Sequence, residues 1–213
     1  MILCRLPAAL LAVVLVFGSV APAGATDDLA SGALEAVTAL SERAVTELTD
    51  PTIDRETRKD RLRDVMNTYF HVDGIARWVL GRNWRKASAG EQEEYLQLYE
   101  HLMIETYVDR FANYQGEKLQ VGNVDTSNGK DAIVDTTFHR PGVDKPVLVQ
   151  WRVRDVLGAY KVIDVMIEGV SMGQTQRAEF ASAIKSADGD IGEFLASLRS
   201  RVETASAAAT QTN

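Results

Sequence analysis

YKVIDVMIEGVSMGQTQRAEFASAIK, residues 160–185, combines a strand, a turn and a helix in one short run and decides the fold. Both faces of the predicted strand carry apolar residues. Tyr160, Val162 and Met166 lie on one face, and Ile163, Val165 and Ile167 lie on the other. Glu168-Gly169 breaks the alternation, and an amphipathic helix is predicted from Gln174 onward. Because this strand has no polar face, we expect the rest of the chain to cover it. The turn that follows should border an apolar interior.

The chain begins with a segment typical of a signal peptide. Arg5 precedes an apolar run at residues 10–17, and Ala23-Gly24-Ala25 supplies the small residues of a cleavage site. A run this short cannot span a bilayer, which takes roughly 20 apolar residues. Cleavage after Ala25 would remove the only cysteine, Cys4. The mature chain would then have no disulfide and no thiol chemistry.

The predicted organisation is a cleaved signal peptide over residues 1–25, one domain over 26–204 and a disordered tail over 205–213. The whole chain has 23 basic and 30 acidic side chains, a net charge of −7, without long blocks of one sign. Nucleic acid is therefore not an expected partner, since binding its backbone needs clustered Lys and Arg. An anionic lipid surface should also repel the chain. A protein of this charge that handled lipid would meet membranes through protein partners.

Apolar residues at helical spacing predict six helices, at about residues 29–48, 54–69, 73–80, 88–113, 174–186 and 190–203. Ser88 and Glu91 fit a capping box, Asp73 is placed to cap the third helix, and Gly81 is placed to close that helix as a left-handed residue. Alternating charges over residues 54–64 predict a solvated face on the second helix. The fourth helix is apolar around more than a third of its circumference. It is either a central core helix or one wall of a ligand cavity.

After Gly116 the spacing of apolar residues changes from helical to alternating, which predicts strands at residues 118–124, 131–139, 146–154 and 160–167. Asn128-Gly129, Pro141-Gly142 and Gly158 mark short turns between them, so we expect an antiparallel meander. Helices before and after a sheet indicate an α+β domain. The predicted fold is a twisted antiparallel four-stranded sheet wrapped by about six helices and enclosing an apolar cavity.

Two enzyme hypotheses arise from the sequence. Residues 169–173, GVSMG, match the G-x-S-x-G motif of serine hydrolases, but no histidine follows Ser171 in the chain, as that fold requires. Alternatively, Asp135 or Asp164 in an apolar pocket would serve as the base of a proton-transfer enzyme, although pairing with an arginine or capping a turn is the favoured role of Asp164. The three histidines are scattered and lack ligand spacing, so no metal or other cofactor is expected.

Four stretches of the chain share a pattern with one family. They are VLGRNWRKAS at 79–88, NYQGE at 113–117, VQWRVR at 149–154 and IDVMIEGVSM at 163–172, with Arg177 and Phe180 after the last. In sequence and in order they resemble the periplasmic phospholipid-binding proteins of the MlaC family, also called the toluene-tolerance (Ttg2) family. The resemblance implies a sheet of the nuclear-transport-factor-like kind around a cavity for acyl tails. It also implies that the turn with Val170 and Ser171 borders the entrance, where Ser171 and the start of the next helix would bind a phosphate or ester oxygen.

The resemblance further implies the partners, which are an inner-membrane ABC lipid transporter complex and an outer-membrane lipoprotein complex. We therefore expect a monomeric periplasmic phospholipid carrier, not an enzyme, that shuttles lipid between the two and maintains outer-membrane lipid asymmetry. A hopanoid as cargo, or an interaction module with a filled core, remains an alternative.

Two groups of residues are candidates for these contacts. The ligand-binding candidates, aliphatic, aromatic or methionine side chains with one serine, are Val79, Leu80, Leu102, Met103, Tyr107, Met166, Val170, Ser171 and Met172. The partner-docking candidates, basic residues around Trp78 and Trp84, are Arg77, Arg82, Arg85 and Lys86. For the second group, an ordinary solvated loop with two buried tryptophans is the competing interpretation.

Overall fold

Six α-helices and five strands make up the computed structural model, which describes residues 24–210 and the side chains of residues 27–207. The helices are α1 (Gly24–Leu48), α2 (Arg55–Tyr69), α3 (Val72–Leu80), α4 (Ala89–Ala112), α5 (Met172–Ser186) and α6 (Ile191–Thr210), and a 3-10 helix (Gly81–Arg85) follows α3. The predicted α+β class and the six helices are confirmed. Nearly all of the predicted signal peptide lies outside the described residues.

The strands form one antiparallel sheet in chain order, β1 (Lys118–Asp125), β2 (Asp131–His139), β3 (Val147–Val156), β4 (Ala159–Ile167) and β5 (Val170–Ser171). The predicted count of four strands is therefore wrong. Glu168 and Gly169 both have positive φ, 50° and 81°, which is the backbone of a two-residue hairpin turn. The chain thus returns beside β4 and pairs Ile167 with Val170 before α5 begins. The nuclear-transport-factor-like description of the sheet stays a prediction.

The ends of the helices follow their capping residues, with three differences from the sequence prediction. Ser88 and Glu91 form the predicted capping box at the start of α4. His71, not Asp73, occupies the N-cap of α3. Gly81 has φ 60° but ψ −128°, which is outside the left-handed helical region and open mainly to glycine. Helix α6 continues to Thr210, through residues for which the sequence predicts a disordered tail.

Arg58 departs from the solvated face predicted for α2. Its side chain is buried, with 6% of the residue exposed, and its guanidinium donates to the backbone oxygens of Leu48, Asp50 and Ile53. The last carbonyls of a helix have no partner within that helix. Arg58 supplies hydrogen-bond donors to this end of α1. Its burial depends on this contact outside α2, so the alternation of charges within α2 could not predict it.

Two apolar cores lie on either side of α4. The first half of α4 packs with α3, α5 and α6 in a helical core that contains Tyr95, Tyr99, Phe180 and Phe194. The second half packs with α1, α2 and the sheet through Ile104 and Val108 in a sheet core. The helix predicted to be enclosed on several sides therefore belongs to both cores.

A β-bulge in β4 decides which of its side chains face the sheet core. Arg152 lies opposite Asp164, and the next residue of β3, Val153, lies opposite Val162. Ile163 is therefore the extra residue of the bulge. Val162 and Val165 consequently share one face of the sheet, although simple alternation placed them on opposite faces. Met166 lies opposite Gln150, on the other face.

Candidate functional site

A boundary of half-buried apolar side chains separates the two cores, and we call it the seam. Met66 and Phe70 contact both cores, Met103 contacts the helical core, and Tyr107 contacts the sheet core. The seam as a whole consists of Met66, Phe70, Met103, Tyr107, Trp151 and Val165. The cores on each side are closed, whereas the side chains between them keep part of their surface open. The chain thus has apolar surface that its own packing covers only in part.

The inner face of the sheet, which carries Trp151 and Val165, is closed at one end. Val153 and Val162 are fully buried there beneath α1. The ring of Tyr160 lies against Gly32 so closely that a Cβ on Gly32 would stand 1.9 Å from it, and the Tyr160 hydroxyl donates to the Asp28 carbonyl at 3.0 Å. These contacts seal α1 over this end of the sheet.

The same face is open at its other end. Val149, Ile167 and Val170 lie side by side on β3, β4 and β5, and Ile167 and Val170 are 38% and 55% exposed. Met172, the first residue of α5, follows on the same stretch and is half-buried. We call Ile167, Val170 and Met172 the mouth. The inner face therefore runs from a sealed end to an apolar mouth at the start of α5.

Asp164 and Ser171 attach α5 to β4 beside the mouth. The Ser171 hydroxyl donates to Asp164 Oδ2 at 2.6 Å and accepts from the Gln174 N–H at 3.0 Å, while Asp164 Oδ1 accepts from the Gly173 N–H at 3.1 Å. Asp164 also accepts from the Val165 N–H at 2.9 Å. Asp164 therefore supports the N-terminus of α5, which agrees with its proposed capping role. The only hydroxyl proton of Ser171 is already donated, and we find no histidine bonded to either residue within the described chain.

The ligand-binding candidates fall into four places. Val79, Leu80 and Leu102 are buried in the helical core. Met103 and Tyr107 lie in the seam. Val170 and Met172 lie at the mouth, whereas Ser171 pairs with Met166, and both lie on the opposite face of the sheet. The ligand-binding candidates from the sequence did not include Phe70, Trp151, Val165 and Ile167. Alternation placed Val165 and Ile167 on one face of β4, but only the strand register shows that Trp151 lies on this face too.

Basic residues surround a pocket of about 660 Å³ between α3, the 3-10 helix and α5. Two docking candidates, Arg82 and Lys86, line it together with Arg177, Lys185 and one acidic residue, Asp188. The Arg177 guanidinium stacks over the Trp78 ring, 4.9 Å from its centroid, and donates to the Trp78 carbonyl at 3.0 Å.

The other two docking candidates, Arg77 and Arg85, do not line this pocket. Arg77 stacks over Trp84 and stands 3.6 Å from the Asp73 carboxylate, and Arg85 is exposed. Trp78 is also exposed, so the interpretation with two buried tryptophans is wrong.

Residues 24–210 contain no helix long and apolar enough to cross a bilayer. Within this part of the chain, no three His, Cys, Asp or Glu side chains come together as metal ligands.

Comparison with known proteins places these features in a family. The family described as MlaC protein matches residues 37–200. Toluene tolerance protein ttg2D of Pseudomonas putida is 22% identical over 138 residues, which cover 64% of this chain and 63% of that protein. The intermembrane phospholipid transport system binding protein MlaC of Haemophilus influenzae is 24% identical over 114 residues, which cover 52% of this chain and 53% of that protein. The chain thus aligns with between about half and two thirds of the length of these relatives.

A solved structure shares the fold. The phospholipid-binding protein from Ralstonia solanacearum, determined in complex with a phospholipid, superposes with a TM-score of 0.71 at 21% identity, covering 82% of this chain and 98% of that one. The family match extends over most of the described domain, including both cores, the seam and the mouth. The chain therefore belongs to the MlaC family, as the resemblance of its sequence predicted.

Proposed function

We propose that the protein is a periplasmic carrier that binds phospholipid with the acyl chains along the seam and the head group at the mouth. The observation that carries this proposal is the inner face of the sheet, which is largely apolar, with Thr136 as a buried polar residue, sealed beneath α1 and open at Ile167 and Val170. A guest chain that enters at the mouth would cover the half-buried seam residues from the side that their own neighbours leave open. The phospholipid-binding neighbour with the same fold supports this cargo.

The hydrophobic effect explains why a carrier needs such a surface. Burial of one methylene contributes about 0.8 kcal/mol, so a tail of roughly 16 carbons gains on the order of 13 kcal/mol in a bilayer. A carrier has to provide nearly the same burial, or the lipid stays in its membrane. A long apolar seam provides it, whereas a small polar pocket does not.

The polar groups at the mouth support binding over catalysis. Ser171 and Asp164 bond to each other and to the start of α5, and Asp135 accepts a hydrogen bond from the Gln150 amide at 2.8 Å. Each group proposed as a nucleophile or base thus has a structural partner. We infer that the protein is not an enzyme and that the lipid leaves unchanged.

The basic pocket between α3, the 3-10 helix and α5 supports docking to acidic surfaces of protein partners. Arg82, Lys86 and Lys185 are exposed there and form no ion pair within residues 27–207, although the chain as a whole is acidic. The proposed partners are an inner-membrane ABC lipid transporter complex and an outer-membrane lipoprotein complex, between which the carrier would maintain lipid asymmetry. Charge reversal of Arg82 and Lys86 should weaken binding to them, and unchanged binding would reject this patch.

Native mass spectrometry of the purified protein tests the cargo directly. A bound mass equal to a phospholipid is expected. A hopanoid mass would change the cargo but keep the seam, and a protein that never carries added mass, even after incubation with lipid vesicles, would refute the carrier function.

Filling the seam tests where the tails lie. Met103→Trp adds a large side chain between the cores and should weaken lipid binding roughly five- to 150-fold, because overpacking an enclosed site costs about 1–3 kcal/mol. His101→Trp places the same side chain on the exposed side of α4 and should leave occupancy unchanged. Equal occupancy in both folded variants would place the tails elsewhere.

A further inference from the structure

Gln176 is a polar residue on the inward stripe of α5. Met172, Gln176 and Phe180 follow one another at intervals of four residues, and their burial increases from the mouth to the helical core. The other buried or half-buried positions of this helix are Gly173, Ala183 and Ile184, which are small or apolar. A leucine would suit the packing at position 176, so the amide requires another explanation.

Tyr99 fixes the orientation of this amide. The Tyr99 residue is only 3% exposed, and its hydroxyl donates to Gln176 Oε1 at 2.6 Å. Burial raises the pKa of Tyr99, so its hydroxyl keeps the proton that it donates. With Oε1 held in this way, the NH2 group of Gln176 points in the opposite direction.

The NH2 group of Gln176 points at a poor acceptor. Nε2 lies 3.5 Å from the sulfur of Met103, a residue of the seam. A thioether is a weak hydrogen-bond acceptor, and a carbonyl oxygen is a much better one. The reverse orientation would bring Oε1 against the Met103 sulfur, which has no proton to donate. The orientation with Nε2 toward Met103 is therefore the only one in which both contacts are hydrogen bonds. Gln176 therefore presents a donor to the seam, and within residues 27–207 its only acceptor is the weakly accepting Met103 sulfur.

We propose that Gln176 Nε2, oriented by Tyr99, donates a hydrogen bond to an acyl-ester carbonyl of the bound lipid and makes the protein select ester-linked over ether-linked lipids. This inference rests on the proposed carrier function and specifies which part of the lipid is recognised. The ester carbonyls of a phospholipid stand between its head group and its tails. Gln176 has the matching place, one helical turn inside the mouth at Met172 and beside the seam at Met103.

A competition between two lipids tests the proposal without a variant. The purified protein is incubated with mixed vesicles of diacyl and dialkyl phosphatidylcholine of equal tail length, and native mass spectrometry measures the ratio of the two complexes. A neutral hydrogen bond corresponds to roughly a three- to tenfold preference for the ester lipid. An equal ratio in the wild-type protein would overturn the proposal while leaving the carrier function intact. Absence of both lipids would overturn the carrier function and this proposal together.

Variants then assign the preference to the amide. Gln176→Leu should bring the ester-to-ether ratio close to one and leave total lipid binding high, because the seam stays apolar. Tyr99→Phe should lower the ratio in part, because the amide keeps its donor but loses its orientation. Gln174→Leu makes the same substitution at an exposed position two residues earlier and should keep the wild-type ratio. An undiminished ratio in a folded Gln176→Leu protein would overturn the assignment.

Discussion

Replacing Asp164 by alanine should destabilise the fold, because this carboxylate fastens the start of α5 to β4. It accepts hydrogen bonds from the Ser171 hydroxyl and from the backbone N–H groups of Gly173 and Val165. Hydrogen bonds to a charged group are each worth about 1.5–3 kcal/mol, but they are not additive. Water reaches the mouth and can replace part of them. We therefore expect Asp164→Ala to lower the free energy of unfolding by about 2–4 kcal/mol.

Urea denaturation of the purified protein measures this change, with the slope against urea used to check that unfolding stays two-state. Asp164→Asn, which keeps an acceptor oxygen, should lose about half as much. Asp155→Ala is the matched control, because Asp155 accepts a single hydrogen bond, from the Gly158 N–H in an exposed turn, and should lose much less.

A different role for Asp164 would give the opposite result. Removal of a buried catalytic base commonly leaves stability unchanged or raises it, since active sites trade stability for function. An Asp164→Ala protein as stable as wild type would therefore refute the capping role and restore the proton-transfer hypothesis. In that case the variant should be tested for loss of proton exchange on added enones.

Three further predictions concern regions away from the mouth. Arg58→Leu should lower the free energy of unfolding by about 3 kcal/mol, because the carbonyls at the end of α1 lose their donors; urea denaturation measures it. Gly81→Ala should lower it by about 2 kcal/mol, since φ is 60° and the added Cβ would stand 3.0 Å from an Arg177 nitrogen; an unchanged melting temperature would contradict this. Burial alone raises the pKa of Glu105, but hydrogen bonds from Lys59 and Arg55 outweigh burial and hold that pKa below 4.5. The stabilisation that ionised Glu105 provides is complete above pH 4.5 and is lost as the pH falls through its lower pKa in the folded protein. The melting temperature of Glu105→Gln should therefore fall less steeply in acid than that of the wild-type protein.

Local sequence signals predicted most elements of the fold. The capping box of Ser88 and Glu91 began α4 correctly, and turn residues such as Asn128-Gly129 separated the strands that the structure contains. Such signals succeed because a cap or a tight turn depends on residues only two or three positions apart. For the same reason the antiparallel order of the first four strands could be predicted, since short turns leave few other topologies.

Features that depend on distant partners could not be predicted in this way. The bulge at Ile163 is defined by its register against β3, and it reverses the face on which Val165 lies. Arg58 is buried because the end of α1 needs donors, which a charge pattern within α2 does not reveal. Gln176 looks like an ordinary polar helix residue until Tyr99, far away in the chain, is seen to hold its amide.

The two ends of the inner face are closed in different ways, and this difference bears on how the proposed carrier would admit a lipid without unfolding. At the sealed end, buried valines and the Tyr160 ring against Gly32 hold α1, so opening there would expose closely packed apolar surface to water. At the mouth, α5 is held by the polar contacts of Asp164 and Gln176, which water or a lipid ester can replace one by one. Separation of the start of α5 from β4 thus exchanges hydrogen bonds, while Phe180 further along α5 stays packed in the helical core. Separation of the two cores therefore costs the least free energy at the mouth. It would expose the seam, which is the apolar surface that an acyl chain would contact.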